Sequence, residues 1–259
     1  MILKFTKYQG TGNDFIMIDE RCLAGFSLNT LHILKLCDRR FGIGADGVII
    51  IRLSPRADFY VDYYNADGTQ SFCGNGARCS VRFAYEIGLI KKHCILDSID
   101  GIHAAEILPS GLVKLSMSPV NLITVENEQS FILDTGSPHF VKFVEDLEGI
   151  EIVDFGKKIR FSPRFNACGI NVNLAEKTAR GIRVKTYERG VEDETFSCGT
   201  GVTAVALADA YTQDLLSGVT RIQTVGGELQ VYWTKTTIGF ESIYLEGPAN
   251  KVYEGSIEL

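Results

Sequence analysis

Phe72-Cys73-Gly74-Asn75-Gly76-Ala77-Arg78-Cys79 opens one helix-like stretch of this chain, and Cys198-Gly199-Thr200-Gly201 opens another. The two leading cysteines lie 125 positions apart in a chain of 259 residues. Working outward from them, Thr11-Gly12 falls on Thr135-Gly136, Arg40-Phe41 on Arg164-Phe165, Val48 on Val172, and Tyr63 on Tyr187, each at an offset of 124. One further residue brings Cys73 onto Cys198. An offset held at separated anchors indicates an internal duplication, so two similar domains are expected to face each other.

The composition suits that reading. With 45% hydrophobic and 22% charged residues the chain is of ordinary globular type, and its length is enough for two cores. A net charge of −6 without any Lys/Arg-rich run argues against a nucleic-acid partner. Lys4 and Lys7 interrupt the start, and no apolar stretch reaches membrane-spanning length, so a cytoplasmic protein is expected, with no membrane partner. Seven cysteines, none in a Cys-x-x-Cys pair, do not suggest a disulfide framework. His32, His93, His103 and His139 show no ligand spacing with the cysteines, so no metal site is expected.

Residues 2–19 read as two strands around a turn at Gln9-Gly10-Thr11-Gly12-Asn13. Residues 28–41 read as a helix with Leu31, Leu34 and Cys37 at helical spacing and Gly42 as its stop. Residues 48–51 and 59–64 read as strands, the second alternating Phe59, Val61 and Tyr63 against Tyr60, Asp62 and Tyr64. After Cys73, the residues Ala77, Val81, Ala84 and Gly88 share one helix face. Residues 202–211 are almost wholly apolar or small, as in a helix enclosed on all sides by sheet. Strand-like runs follow at 221–225, 228–234, 242–246 and 252–259.

A cysteine followed by Gly-x-Gly at a helix start has a definite chemistry. The glycines let backbone amides approach a ligand, the helix end favours an anion, and the same field lowers the thiol pKa. A carboxylate held by two such ends would present its α-carbon between two sulfurs. One thiolate would remove the α-proton while the other thiol protonates the opposite face, inverting the centre. With no cofactor motif in the chain, the carbanion must be stabilised by desolvation and preorganised donors.

Gly10-Thr11-Gly12-Asn13-Asp14-Phe15, Gly42-Ile43-Gly44-Ala45-Asp46-Gly47, Asn65-Ala66-Asp67-Gly68, Tyr187-Glu188-Arg189-Gly190 and the two cysteine phrases resemble those of the diaminopimelate epimerase family, in the family's order and across nearly the whole chain. The resemblance implies a pyridoxal-independent enzyme interconverting LL- and meso-diaminopimelate on the route to lysine and cell wall. It implies that Cys73 and Cys198 are the acid/base pair, that the amides of Gly74, Asn75, Gly199 and Thr200 hold the reacting carboxylate, and that His139 lies near a catalytic thiol. Asn13 and Glu188 would contact polar groups of the substrate, Glu188 matching an ammonium and standing with the catalytic set. Asn65, Asn171 and Arg189 would bind the distal end, where a planar guanidinium suits a carboxylate. One position departs: Gly136-Ser137-Pro138-His139 stands where the family commonly has Gly-Asn-Pro-His, so a hydroxyl replaces an amide in distal recognition.

The fold so implied is α+β, with two pseudo-repeat domains, each a mixed or antiparallel barrel-like sheet wrapped around a central helix, and the active site in the cleft between them. The domains would be 1–120 with 248–259, and 121–247. No cofactor is implied; closure over the substrate and a homodimer are. At the offset of 124, Asn65 falls on Arg189, Gly47 on Asn171 and Asn13 on Ser137, so substrate choice is expected where the copies diverge.

Each supporting residue has a plainer reading. Asn65 and Asn13 suit turns, His139 suits a buried imidazole, and Glu188-Arg189 suits a solvated pair. Cys22, Cys37, Cys79, Cys94 and Cys168 read as structural. Two other functions compete: a different cysteine-pair racemase resembling proline racemase, and a non-catalytic anion-binding protein. A substrate with one carboxylate leaves Arg189 nothing to bind, and no Walker or Rossmann fingerprint follows either cysteine phrase.

Overall fold

The computed structural model describes residues 2–23 and 25–259. Met1, where the first expected domain begins, lies outside them. The chain divides into two compact units, Met1–Leu115 with Gly247–Leu259, and Ser116–Glu246.

In the first unit, β1 (Ile2–Gly10) and β2 (Asn13–Asp19) form a hairpin. Its two turn residues, Thr11 and Gly12, both have positive φ, as the right-handed strand twist requires of a two-residue turn. Then come α1 (Thr30–Cys37), β3 (Gly47–Arg52), β4 (Phe59–Asn65), α2 (Gly74–Glu86), β5 (His93–Ser98), β6 (Gly101–Ile107) and β7 (Val113–Ser116). β2 and β3 are parallel, as are β4 and β5, while β3–β4, β5–β6 and β6–β7 are antiparallel. The second unit contains β8 (Ile123–Asn127), β9 (Ser130–Asp134), β10 (Pro138–Val144), α3 (Ile152–Arg160), β11 (Asn171–Thr178), β12 (Gly181–Glu188), β13 (Asp193–Thr195), α4 (Gly199–Tyr211), β14 (Ser217–Thr224), β15 (Gly227–Lys235) and β16 (Phe240–Gly247). The last strand, β17 (Asn250–Glu258), pairs antiparallel with β1 and completes the first unit's sheet.

The second unit repeats the first's pairing. β10 and β11 are parallel, β11–β12 antiparallel, β12–β14 parallel, and β14–β15 and β15–β16 antiparallel. Each sheet packs one helix on its outer face and carries the other inside. Ile16, Ile18, Val48 and Ile50 meet Ile33 and Leu36 of α1; Phe140, Val172, Leu174 and Tyr187 meet Ile152 of α3. On the inner face of the second sheet every residue of α4 from Gly199 to Ala210 is buried, which accounts for that helix having no polar stripe.

Two readings of the sequence are corrected. In α1 the buried residues are Ile33, Leu36 and Cys37, whereas Leu31 and Leu34 are exposed. The helix also stops at Cys37, before Gly42. The reciprocal cap between Asn29 and His32 sets its start, and this frame turns Leu31 and Leu34 away from β3. The second correction concerns the repeat. Phe15 faces Gly47 across β2 and β3, and His139 faces Asn171 across β10 and β11, which preserves the offset of 124. Across the next pair, however, Ile49 faces Tyr63 and Val48 faces Tyr64, whereas Asn173 faces Thr186 and Val172 faces Tyr187. Tyr63 therefore corresponds to Thr186, Tyr64 to Tyr187, and Asn65 to Glu188. The adjacent tyrosines Tyr63 and Tyr64 make either alignment look alike in sequence, but a one-residue slip in a strand exchanges its faces.

Candidate active site

Cys73 is the N-cap of α2, with extended backbone angles and its sulfur 3.4 Å from the amide of Gly76. The first turn beyond it carries the amides of Gly74 and Asn75, which an α-helix leaves outside its own ladder. Gly76 packs closely here: a Cβ would stand 3.0 Å from Ile49 Cδ1 and 3.4 Å from Phe15 Cε1. Asn13, at the start of β2, brings Oδ1 to 3.5 Å from the sulfur and accepts from Asn75 Nδ2 at 3.3 Å. Its own Nδ2 donates to Asp46 at 2.6 Å. Beneath the turn Arg78 is fully buried and donates to Gly74 O and to Asn75 Oδ1. Burial pushes this guanidinium down to about 10, opposed by the negative charge Cys79 and Cys73 carry when ionised.

Cys198 holds the same place on α4 and is buried. Its sulfur lies 3.4 Å from Thr200 Oγ1, which lies 2.9 Å from His139 Nε2. His139 Nδ1 is 3.1 Å from Asn173 Nδ2, and that amide nitrogen also donates to Phe140 O at 3.1 Å. Thr186 Oγ1 donates to Asn173 Oδ1 at 2.9 Å, and Thr135 Oγ1 donates to Thr200 O. Burial, followed by the nearby charge of Arg189, pushes His139 down to about 3, so the imidazole is neutral at physiological pH. Strands β10, β11 and β12 thus supply one connected polar floor under the first turn of α4.

The three expected distal residues of the second unit converge. Asn171 Nδ2 donates to Ser137 Oγ at 2.9 Å, the backbone amide of Arg189 donates to Asn171 Oδ1 at 2.8 Å, and Arg189 Nη2 reaches Ser137 Oγ at 3.4 Å. Arg189 Nη1 is held by Cys168 O at 2.9 Å. Gly169, with φ of +74°, lets the arginine lie across the backbone, since a Cβ would stand 2.3 Å from Arg189 Cδ. Glu188 ends β12 beside them. Asn65 belongs to the first unit, where its Nδ2 lies within hydrogen-bond distance of Thr69 O, Thr69 Oγ1 and Ser71 Oγ.

Of the other cysteines, Cys37, Cys79 and Cys94 are buried, with thiols pushed up to about 12 by burial; Cys22 and Cys168 are exposed. The sequence reading passed over Asp46, Arg78, Asn173 and Thr186. A signal for one of them exists: Asn171 and Asn173 alternate with Val172 and Leu174 along β11, placing two amides on the face that looks at α4. Among the described residues no helix is long and apolar enough to cross a membrane.

Solved structures share this architecture. A phenazine biosynthesis protein of the PhzF family from Bacillus anthracis superposes with a TM-score of 0.78 at 14% identity, with 100% of each chain covered. A probable proline racemase from Agrobacterium radiobacter gives 0.72 at 15% identity, covering 100% of this chain and 93% of the other. These likenesses define the class of protein by fold alone: a two-domain α+β chain. The family is narrower. The diaminopimelate epimerase family model matches residues 5–123 and 131–252, and the chain belongs to that family. Diaminopimelate epimerase of Flavobacterium psychrophilum is 45% identical over 98% of this chain and 100% of its own length, and that of a Hydrogenobaculum species is 39% identical over 97% of each.

Proposed function

We propose that this chain interconverts LL- and meso-2,6-diaminopimelate by a two-base proton transfer at one α-carbon, without pyridoxal phosphate or metal, in the supply of lysine and peptidoglycan precursors. The observation that carries the proposal is the pair of cysteine N-caps, Cys73 on α2 and Cys198 on α4, in a chain of this family. One sulfur removes the α-proton as thiolate, and the other, as thiol, protonates the opposite face. The amides of Gly74, Asn75, Gly199 and Thr200 hold the reacting carboxylate and share the charge that develops on it. Asn13 and Glu188 receive the polar groups at the reacting end, Glu188 pairing with the ammonium. His139 acts on Cys198 through Thr200. Ser137, Asn171 and Arg189, with Asn65, take the distal end; Ser137 Oγ and Cys168 O preorganise the Arg189 guanidinium before substrate arrives. The working enzyme is cytoplasmic and homodimeric, and its domains are 1–120 with 248–259 and 121–247.

Incubation with LL-diaminopimelate in heavy water, without added pyridoxal phosphate, tests the reading. Solvent deuterium should enter one α-position as meso product accumulates. Absence of exchange by folded, reduced protein would overturn it, and undiminished exchange in a Cys73→Ala/Cys198→Ala double variant would overturn the two-thiol mechanism.

A further inference from the structure

The floors beneath the two cysteines have diverged at every corresponding position. Phe15, Ile49 and Tyr63 in the first unit occupy the places of His139, Asn173 and Thr186 in the second. The first set is a packed aromatic and aliphatic surface, with the Phe15 and Tyr63 rings edge to face at 5.9 Å. The second is the hydrogen-bonded chain from Thr186 to Thr200. The chemistry was duplicated, but the support of the two sulfurs was not.

The direction of each chain can be read from groups that only donate or only accept. Phe140 O can only accept, so the atom of Asn173 beside it is Nδ2, whose second hydrogen points to His139 Nδ1. The neutral imidazole therefore carries its hydrogen on Nε2 and donates it to Thr200 Oγ1. Thr200 is left to direct its hydroxyl hydrogen at the other neighbour of that oxygen, the sulfur of Cys198. In the first unit Arg78 can only donate, so Asn75 offers it Oδ1 and turns Nδ2 to Asn13 Oδ1. Asn13 Nδ2 is committed to the carboxylate of Asp46. The oxygen that Asn13 shows Cys73 is thus an acceptor, and only an S–H meets it attractively.

We infer that the resting enzyme holds Cys198 as the thiolate and Cys73 as the thiol, and that Thr200, oriented by His139 and Asn173, is the positioning residue that sets this difference. The charged and titratable groups around the two first turns include Arg78, Cys79, Tyr63, His103 stacked on Phe72 and, through Asn13, Asp46 with its partner Arg39 in the first unit, and His139, Glu188 and Arg189 in the second. The inference rests on the epimerase reading for the use of the thiols, though not for their protonation. In that use, Cys198 gains the α-proton and Cys73 loses its own, so one turnover leaves Cys198 as thiol and Cys73 as thiolate. Exchange of one proton with water restores the resting pair.

The test is pH-dependent alkylation by iodoacetamide of the full chain without substrate, each cysteine followed by peptide mass spectrometry. The midpoint of each pH profile is read rather than the rate, because Cys198 is the more buried, and the exposed Cys22 and Cys168 serve as internal references. Cys198 should show the lower midpoint. Thr200→Val should raise it by about one to two units, the effect of one hydrogen bond to a charged group, with the Cys73 midpoint unchanged and Thr200→Ser restoring the wild-type value. A Cys73 midpoint equal to or below that of Cys198, or a Cys198 midpoint unmoved by Thr200→Val, would overturn the assignment. Since no substrate is present, either result is distinguishable from failure of the epimerase reading.

Discussion

Asn171 donates a side-chain hydrogen to Ser137 Oγ at 2.9 Å, within the cluster that also holds Arg189. The serine oxygen accepts from both neighbours, so its hydroxyl hydrogen is directed away from them and suits a distal carboxylate. Ser137→Ala should therefore raise KM for diaminopimelate roughly 3- to 10-fold, the value of one net hydrogen bond, with kcat nearly unchanged. Steady-state kinetics decide this; a fall in kcat at constant KM would place Ser137 at the reacting end instead.

In the proposed mechanism the two sulfurs act as a pair, because inversion needs a base on one face and an acid on the other. Cys73→Ser and Cys198→Ser should each lower kcat roughly 100- to 10,000-fold. Both caps keep a small polar side chain at the helix start, so the urea unfolding midpoint should hardly move. A single variant that epimerised at the wild-type rate would remove that sulfur from the chemistry.

Acid should weaken the first unit at a recognisable place. Burial works to raise the Asp14 carboxyl, but hydrogen bonds from Arg39 and Lys7 outweigh it and hold the group at about 2. A carboxylate depressed in the folded state contributes stability above its unfolded value, near 4, and that contribution disappears as pH falls toward 2. The stability gap between wild type and Asp14→Asn should be about 1–2 kcal/mol at neutral pH, allowing for solvent screening of the exposed Arg39. Urea titrations from pH 6 to pH 2 should show it narrowing; a constant gap would refute the ion-pair account.

Gly156 lets α3 rest directly on β12. A Cβ at this position would stand 2.4 Å from Tyr187 Cγ and 2.5 Å from its Cβ, and Tyr187 is fully buried. Gly156→Ala should destabilise the protein by about 1–3 kcal/mol through overpacking, seen as a lower thermal unfolding midpoint. A neutral or stabilising effect would mean that the helix can shift at no cost.

The sequence alone determines that the chain is duplicated, that each copy opens a helix with a cysteine, and that the second of these helices is enclosed. Those features are local: a Cys-Gly-x-Gly phrase, an apolar run at 202–211, and anchors at constant spacing. Leu31 and Leu34 show the limit of such reasoning, since periodicity finds a helix but the cap at Asn29 decides which face turns inward. Tertiary structure alone decides the register of β4 and β12, because the paired tyrosines of the first copy match the single Tyr187 in either frame and only the strand partners choose between them. It alone assembles the floor under Cys198, whose members His139, Asn173 and Thr186 sit on three neighbouring strands. The thiols are written in the chain as a symmetric pair, and what distinguishes them is the direction of hydrogen bonds that exist only once those strands lie side by side.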